Sequence, residues 1–418
     1  RKVSVSFRGA GQVLLPPRPG LAWLRGADAG AQTLLGGGLS VADDGSISGL
    51  EPDPRADWQV DASGCALVPG FVDCHTHLPF AGWREGEYEQ KLCGVPYEEI
   101  SRAGGGIAAS ARALRDSSDE AVLAQSRALA DEMLSFGTTC FETKSGYGLS
   151  REGELRALRL ARRLEDMVAQ ATLSTALLAH AVPEGYDTAS WMREVEEMMP
   201  EVIEPGSVSA LDIFVESIAF SNADLETMGA LAAASGLALR AHVEQFGGLR
   251  SVPVALAAGA RSVDHLSTLA PEDVEPLARA DCAAVLLPAA EFLGDEHRAP
   301  GRALLDAGAL VVLATDLNPG TAPVCSLPLV MGLGARMYGM SARETLAAVS
   351  LNGAWVLGME RTLGSIEVGK RADLVLLDGP VERIAYRLGR NPVAAAFVGG
   401  EPVYVRDAQT ASRMARRT

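Results

Sequence analysis

Between residues 65 and 360, short apolar runs alternate with stretches whose apolar positions recur every three to four residues. The runs cover 67–74, 138–143, 172–179, 211–215, 238–241, 262–265, 283–287 and 310–315. Between them, Leu155, Leu158, Ala161, Leu164 and Val168 share one face of a predicted helix over 151–168. Val122, Leu129 and Met133 do the same for 119–136. Near-continuous apolar strands separated by helices predict a parallel sheet covered on both faces, and eight such units in one stretch predict a (β/α)8 barrel. An open dinucleotide-binding sheet is disfavoured because no GxGxxG follows a strand. "AGGGI" at 103–107 lacks the lysine of a phosphate loop and reads as a turn.

The pattern differs at both ends. Residues 1–64 hold short β segments at 3–7, 12–15, 33–35, 39–42 and 46–48, punctuated by Gly36-Gly37-Gly38 and Asp43-Asp44-Gly45. "GSIEVGKRADLVLLD" (364–378) and "PVAAAFVGGEPVYV" (392–405) again read as strands with glycine turns. The expected architecture is therefore a TIM-like barrel over 65–360 with a small β-sandwich domain built from both termini, 1–64 and 361–418.

Charge narrows the partners. Against 37 basic residues stand 53 acidic ones, a net charge of −16. Such a surface repels a phosphate backbone, so no nucleic-acid partner is expected. The short basic tail, Arg413, Arg416 and Arg417, is expected to be a solvated end. No run approaches the roughly 18 apolar residues of a membrane span, and no basic-then-apolar signal pattern opens the chain. The six cysteines are scattered without CxxC spacing, which suits reduced thiols. A cytoplasmic protein without a membrane partner is the expectation.

In barrel enzymes the chemistry gathers where the strands end. Strand one ends in Asp73, His75 and His77, which alternation places on one face. Strand two ends in Glu142 and Lys144, followed by Tyr147; Lys144 is expected to pair with Glu142 or Glu216. Strand three ends in His180, strand four in Glu216, strand five in His242 with Glu244 and Gln245, strand six in Asp264 and His265, and strand eight in Asp316. Five of the six histidines thus close a predicted strand at the same rim, and His297, the sixth, is expected to be exposed. Glu244 is read either as a partner of Arg240 or as support for His242. Convergent imidazoles with a carboxylate suit Zn²⁺ or Fe²⁺ rather than Mg²⁺ or Ca²⁺.

"LVPGFVDCHTH", a later "ATD" and the C-terminal "GSIEVGKRADLVLLD" resemble the amidohydrolase superfamily of metal-dependent hydrolases. "HTHLPFAGWREGEYEQKLCGVPYEEISRAGGGI", "TKSGYGL", "AHAVP", "SVDHL" and "ATDLNPGT" are similar to a branch of it that opens a small cyclic amide bearing a propanoate arm. The resemblance implies one Zn or Fe ion per chain on His75, His77, His242 and Asp316. It further implies a pocket lined by Arg84, Tyr97, Tyr147, His180, Asn318, Gly320 and Thr321, with Arg84 binding the substrate carboxylate. His265 and Asp316 would handle the attacking water. Where the family often carries an acid three positions after the strand-five histidine, this chain has Gln245, which can hydrogen-bond a ring but cannot carry a proton. Acid–base work then falls to Glu244, His265 or Asp316. A homodimer is the expected assembly. Rival expectations are a sister enzyme (a cyclic amidine deaminase or a dipeptidase) and a non-catalytic scaffold.

Overall fold

The computed structural model describes residues 3–95, 99–100, 103–204, 208–294 and 297–417. Eight parallel strands pair in sequence order: Phe71–Asp73, Thr138–Lys144, Ala171–Ala179, Ala210–Val215, Ala238–Val243, Ser262–His265, Ala283–Leu286 and Leu310–Leu313. The intervening helices bury one stripe each. In helix Arg151–Glu165, for example, Ala157, Leu158, Leu160, Ala161 and Leu164 face inward. Strands one and eight meet beyond their regular ends, where Asp316 N donates to the His75 carbonyl (3.0 Å) and His77 N to the Leu317 carbonyl (2.9 Å). A parallel bridge between Thr76 and Leu317 completes the ring.

The apolar run at 67–74 is shared between two sheets. Its first half forms strand Ala66–Pro69, which pairs with Leu374–Leu377 in the terminal domain, and only Phe71–Asp73 enters the barrel. Gly70 is the point of handover. A Cβ there would lie 2.1 Å from Thr139 Oγ1, so no side chain fits. Apolar pattern alone does not reveal such a change of partner.

The terminal domain is a nine-stranded mixed sheet. Its strand Val5–Leu15 is continuous where two segments were expected, and it forks the sheet: residues 5–8 pair with Trp58–Asp61, residues 12–13 with Ala66–Pro69. Val5, Phe7, Leu39, Ile47, Leu374 and Phe397 give it a core of its own. The basic tail is not the solvated end expected of it. Met414–Arg416 pairs antiparallel with Trp58–Asp61, and the Arg413 guanidinium donates to the carbonyls of Asp61 and Ser63. Three arginines in five residues concealed a short edge strand, a position where charged residues are favoured.

No helix among the described residues is long and apolar enough to cross a membrane.

Candidate functional site

The strand ends bring His75, His77 and His242 together, with one ring nitrogen from each lying within 4.8 Å of the others. Nε2 of His77 and Nε2 of His242 face each other at 3.4 Å. Asp316 Oδ1 stands 3.5 Å from His75 Nε2 and 3.3 Å from His77 Nε2, longer than good charge-assisted hydrogen bonds. His75 Nε2 and Asp316 Oδ2 are buried and have no hydrogen-bond partner among the described residues. Buried polar atoms that converge without bonding one another are arranged around something else. Three imidazoles and a carboxylate fit a divalent transition metal, so the site passes as a metal centre on its donors and its orphaned atoms.

Two of the three outer nitrogens are oriented by acids, while His77 Nδ1 has no hydrogen-bond partner among the described residues. Asp264 Oδ2 accepts from His75 Nδ1 (2.5 Å) and Asp212 Oδ1 from His242 Nδ1 (3.0 Å), which leaves both Nε2 atoms aimed at the cluster. These two acids are joined beneath the site. Arg240 donates to Asp264 (2.7 Å) and to Glu142, while Lys144 Nζ lies 2.7 Å from Glu142 Oε2 and 2.8 Å from Asp212 Oδ2. All five side chains are buried. Three acids against two bases give this layer one net negative charge, suited to a cation above it. The expected partners of Lys144 are thus half corrected, to Glu142 and Asp212 in place of Glu216.

Protonation follows burial and charge. Burial pushes His77 down to about 4 and His265 to about 3, and it lowers His180 and His242 as well. These rings are neutral at pH 7, as metal ligands and hydrogen-bond partners must be. Burial and the Lys144 charge oppose protonation of His75, but its hydrogen bond to Asp264 and the nearby Asp316 carboxylate outweigh them and raise it to about 9, a proton that a metal ion on Nε2 would displace. His75 and His77 offset the burial of Asp316 and keep its carboxyl well below the usual range. Asp316 (φ +56°) and His265 (φ +81°) both have left-handed backbones, a strain on the order of 1–3 kcal/mol each that clusters at functional sites.

Above the cluster opens a pocket whose void, counted together with the open solvent at its mouth, is about 420 Å³. Arg84, Tyr147, His180, Gln245, His265, Asn318 and Thr321 line it, as do Ile107, Phe214 and Phe246, which the motifs had not signalled. The Arg84 side chain is 8 % exposed, and its nearest acid, Glu87, lies 3.7 Å away. Glu87 also accepts from Gly106 N. Asn318 does more than line the wall. Its Oδ1 accepts from the amides of Gly320 (2.9 Å) and Thr321 (2.8 Å), and its Nδ2 donates to the Asp316 carbonyl (2.7 Å). Gly320 lies under Arg84, where a Cβ would come within 1.6 Å of the guanidinium.

Two expectations fare differently. Glu244 turns out of the pocket, where its Oε1 accepts from Val252 N (3.3 Å) at the start of helix Val252–Ala257. It touches neither Arg240 nor His242 through its side chain, and a left-handed backbone (φ +56°) turns the chain there. Tyr97 lies outside the described residues. His297 is exposed. Asp212 had escaped notice, yet a carboxylate inside the apolar run "ALDIFV" is a signal in itself, because a charge is buried only with partners.

A parallel barrel that gathers buried imidazoles and an aspartate at its C-terminal rim defines a metal-dependent hydrolase. The amidohydrolase family model matches residues 66–405, and the chain belongs to that family. Within it, the chain falls among the imidazolonepropionases. The imidazolonepropionase of Paracoccus denitrificans is 40% identical over 388 residues, covering 90% of this chain and 96% of the relative. That of Rubrobacter xylanophilus is 45% identical over 345 residues, 82% of each chain. Among solved structures, a triazine hydrolase variant superposes with a TM-score of 0.75 at 18% identity, covering 98% of this chain and 99% of that one, a likeness of fold alone.

Proposed function

We propose that the chain hydrolyses the ring C–N bond of 4-imidazolone-5-propanoate, giving N-formimino-L-glutamate, with one Zn²⁺ or Fe²⁺ per chain held by His75, His77, His242 and Asp316. The observation that carries the substrate is Arg84. Its Nε and Nη1 are buried with no hydrogen-bond partner among the described residues, at the rim of a pocket whose floor is the histidine cluster. A guanidinium in that state calls for a carboxylate, and a propanoate arm supplies one while the ring reaches the floor.

When bound, the ion supplies Lewis acidity, polarising the ring carbonyl and acidifying a water. The remaining work belongs to side chains. Asp316 is ionised, and its free Oδ2 takes the proton of the attacking water and returns it to the leaving ring nitrogen. His265, neutral at pH 7, donates a hydrogen bond to the developing oxyanion without adding charge. Tyr147, His180 and Gln245 hold the ring, and Arg84 fixes its arm. Because Gln245 carries no proton and Glu244 faces away, one group, Asp316, serves both proton transfers.

Six free cysteines support a reducing, cytoplasmic setting. A homodimer is the proposed assembly, and the exposed Tyr386 and Leu388 offer apolar contact area for it; light scattering tests this. The decisive experiment adds freshly generated 4-imidazolone-5-propanoate and follows its ultraviolet absorbance alongside metal content per chain. Loss of absorbance in proportion to loaded metal is expected. A fully loaded protein that leaves the absorbance unchanged would overturn the named substrate.

A further inference from the structure

Glu154 is buried, carries a formal charge and touches no part of the pocket. It lies in the first turns of helix Arg151–Glu165, and its carboxylate turns back toward the preceding loop, residues 145–149. There Oε2 accepts from Gly146 N (2.7 Å) and Oε1 from Leu149 N (2.9 Å). The loop is shaped to reach it. Gly146 (φ +117°) and Leu149 (φ +44°) are both left-handed, and Gly148 packs so closely on Gly153 and Glu154 that a Cβ would lie 2.2 Å from Glu154 N. Leucine adopts such a backbone only when surrounding bonds enforce it.

These two bonds anchor the loop on either side of the 146–147 peptide, whose carbonyl, that of Gly146, faces His180. That oxygen lies 2.9 Å from His180 Nδ1. A carbonyl only accepts, so the proton of this hydrogen bond is on Nδ1. With one proton on the imidazole and that proton on Nδ1, Nε2 is bare, a hydrogen-bond acceptor on a ring that stacks on His77 (24° between planes) and borders the pocket. Such a nitrogen takes an N–H from a ligand and rejects a carbonyl oxygen. The other tautomer would do the reverse.

We propose that Glu154 is a positioning residue: by anchoring the loop on both sides of the Gly146 carbonyl it fixes His180 in the Nδ1–H form, so that the pocket offers an acceptor to a ring N–H of the substrate. Both carboxylate oxygens are needed for this. Glutamine at 154 sets an NH₂ against one of the two amides, so the loop loses an anchor, the 146–147 peptide between them is free to turn, and the tautomer with it. The kinetic consequence rests on the proposed substrate, whereas the tautomer does not.

The test uses zinc-loaded full-length protein with ¹⁵N-labelled histidine, the His180 signals being identified by their loss in His180→Gln. In the wild type, Nδ1 should resonate as a protonated, pyrrole-like nitrogen and Nε2 as a bare, pyridine-like one. In Glu154→Gln the Nε2–H form should become populated, and kcat/KM should fall about tenfold, the scale of one neutral hydrogen bond, at unchanged metal content. An Nε2–H signal in the wild type overturns the proposal whether or not any variant folds. So does a folded Glu154→Gln that keeps the wild-type spectrum and kcat/KM and loses only thermal stability, which would make Glu154 a structural support. Glu154→Asp, which retains the charge but falls a methylene short, provides a second variant with the same two readouts. Should the wild type leave the proposed substrate untouched, the spectra still decide the tautomer, and the two failures are told apart.

Discussion

Arg84 reaches into the pocket with two of its three guanidinium nitrogens without a hydrogen-bond partner among the described residues, and its removal should therefore act on binding more than on chemistry. Arg84→Ala is expected to raise KM about 10- to 100-fold, the scale of hydrogen bonds to a charged group, with kcat within a few-fold of wild type. Arg84→Lys, a point charge without the planar fork, should recover only part of this. Steady-state kinetics on 4-imidazolone-5-propanoate check both, and an unchanged KM would exclude Arg84 from substrate binding. Glu154 makes a prediction in pH. Burial pushes its carboxyl from 4.5 up to about 6, so the native state holds this proton more tightly than the unfolded chain. The group's contribution to stability is thus greatest below pH 4.5, declines between 4.5 and 6, and stays lower by about 2 kcal/mol above that window. Glu154→Gln removes the dependence. The difference in urea midpoint between wild type and variant should change across pH 4.5–6 and be flat above 7.

The loop between the second barrel strand and helix Arg151–Glu165 shows how an element can be held by what it lacks. Gly148 and Gly153 touch backbone to backbone, and Ser150 caps the helix by accepting from Gly153 N (3.0 Å). Gly148→Ala drives a methyl into that contact and should cost about 1–3 kcal/mol, visible in the denaturation midpoint. If stability is unchanged, the contact is looser than the backbone indicates. Strands and helices of the barrel were legible in the chain because their apolar periods are long and regular, and the strand-end histidines because five of them recur at equivalent places. The splitting of residues 67–74 was not, since two sheets that share one apolar run look like one strand. Met414–Arg416 was hidden by its charge, and the outward turn of Glu244 by a left-handed backbone that a non-glycine residue does not announce. Asp212 and Asp264 could be seen as acids at strand positions, but that each grips the far nitrogen of a different histidine depends on neighbours dozens of residues away.

For the molecule as a whole, the buried layer from Asp264 through Arg240, Glu142 and Lys144 to Asp212 makes the barrel core an ionic scaffold in place of the usual branched aliphatic filling. Lys144→Met strands Glu142 and Asp212 without a cation between them. It should cost about 3–5 kcal/mol of stability and weaken metal binding about 10- to 100-fold, measured by chelator competition; unchanged affinity would detach the layer from the metal centre. The closure between strands one and eight carries one more consequence. The proposed ligands His75 and His77 stand on one side of that junction and Asp316 on the other, so an ion held by all three acts as a latch on the cylinder. Local opening there must release it, and the latch tightens by the factor 1 + [M]/Kd for free metal at concentration [M]. The amide protons of His77 and Asp316, which stitch the junction, should therefore exchange with deuterium more slowly in proportion to added zinc. The amide of Ser145, which donates to Thr175 between strands two and three, should respond far less at the same concentrations. Equal slowing at both places would mean that the ion steadies the whole barrel and not its closing edge.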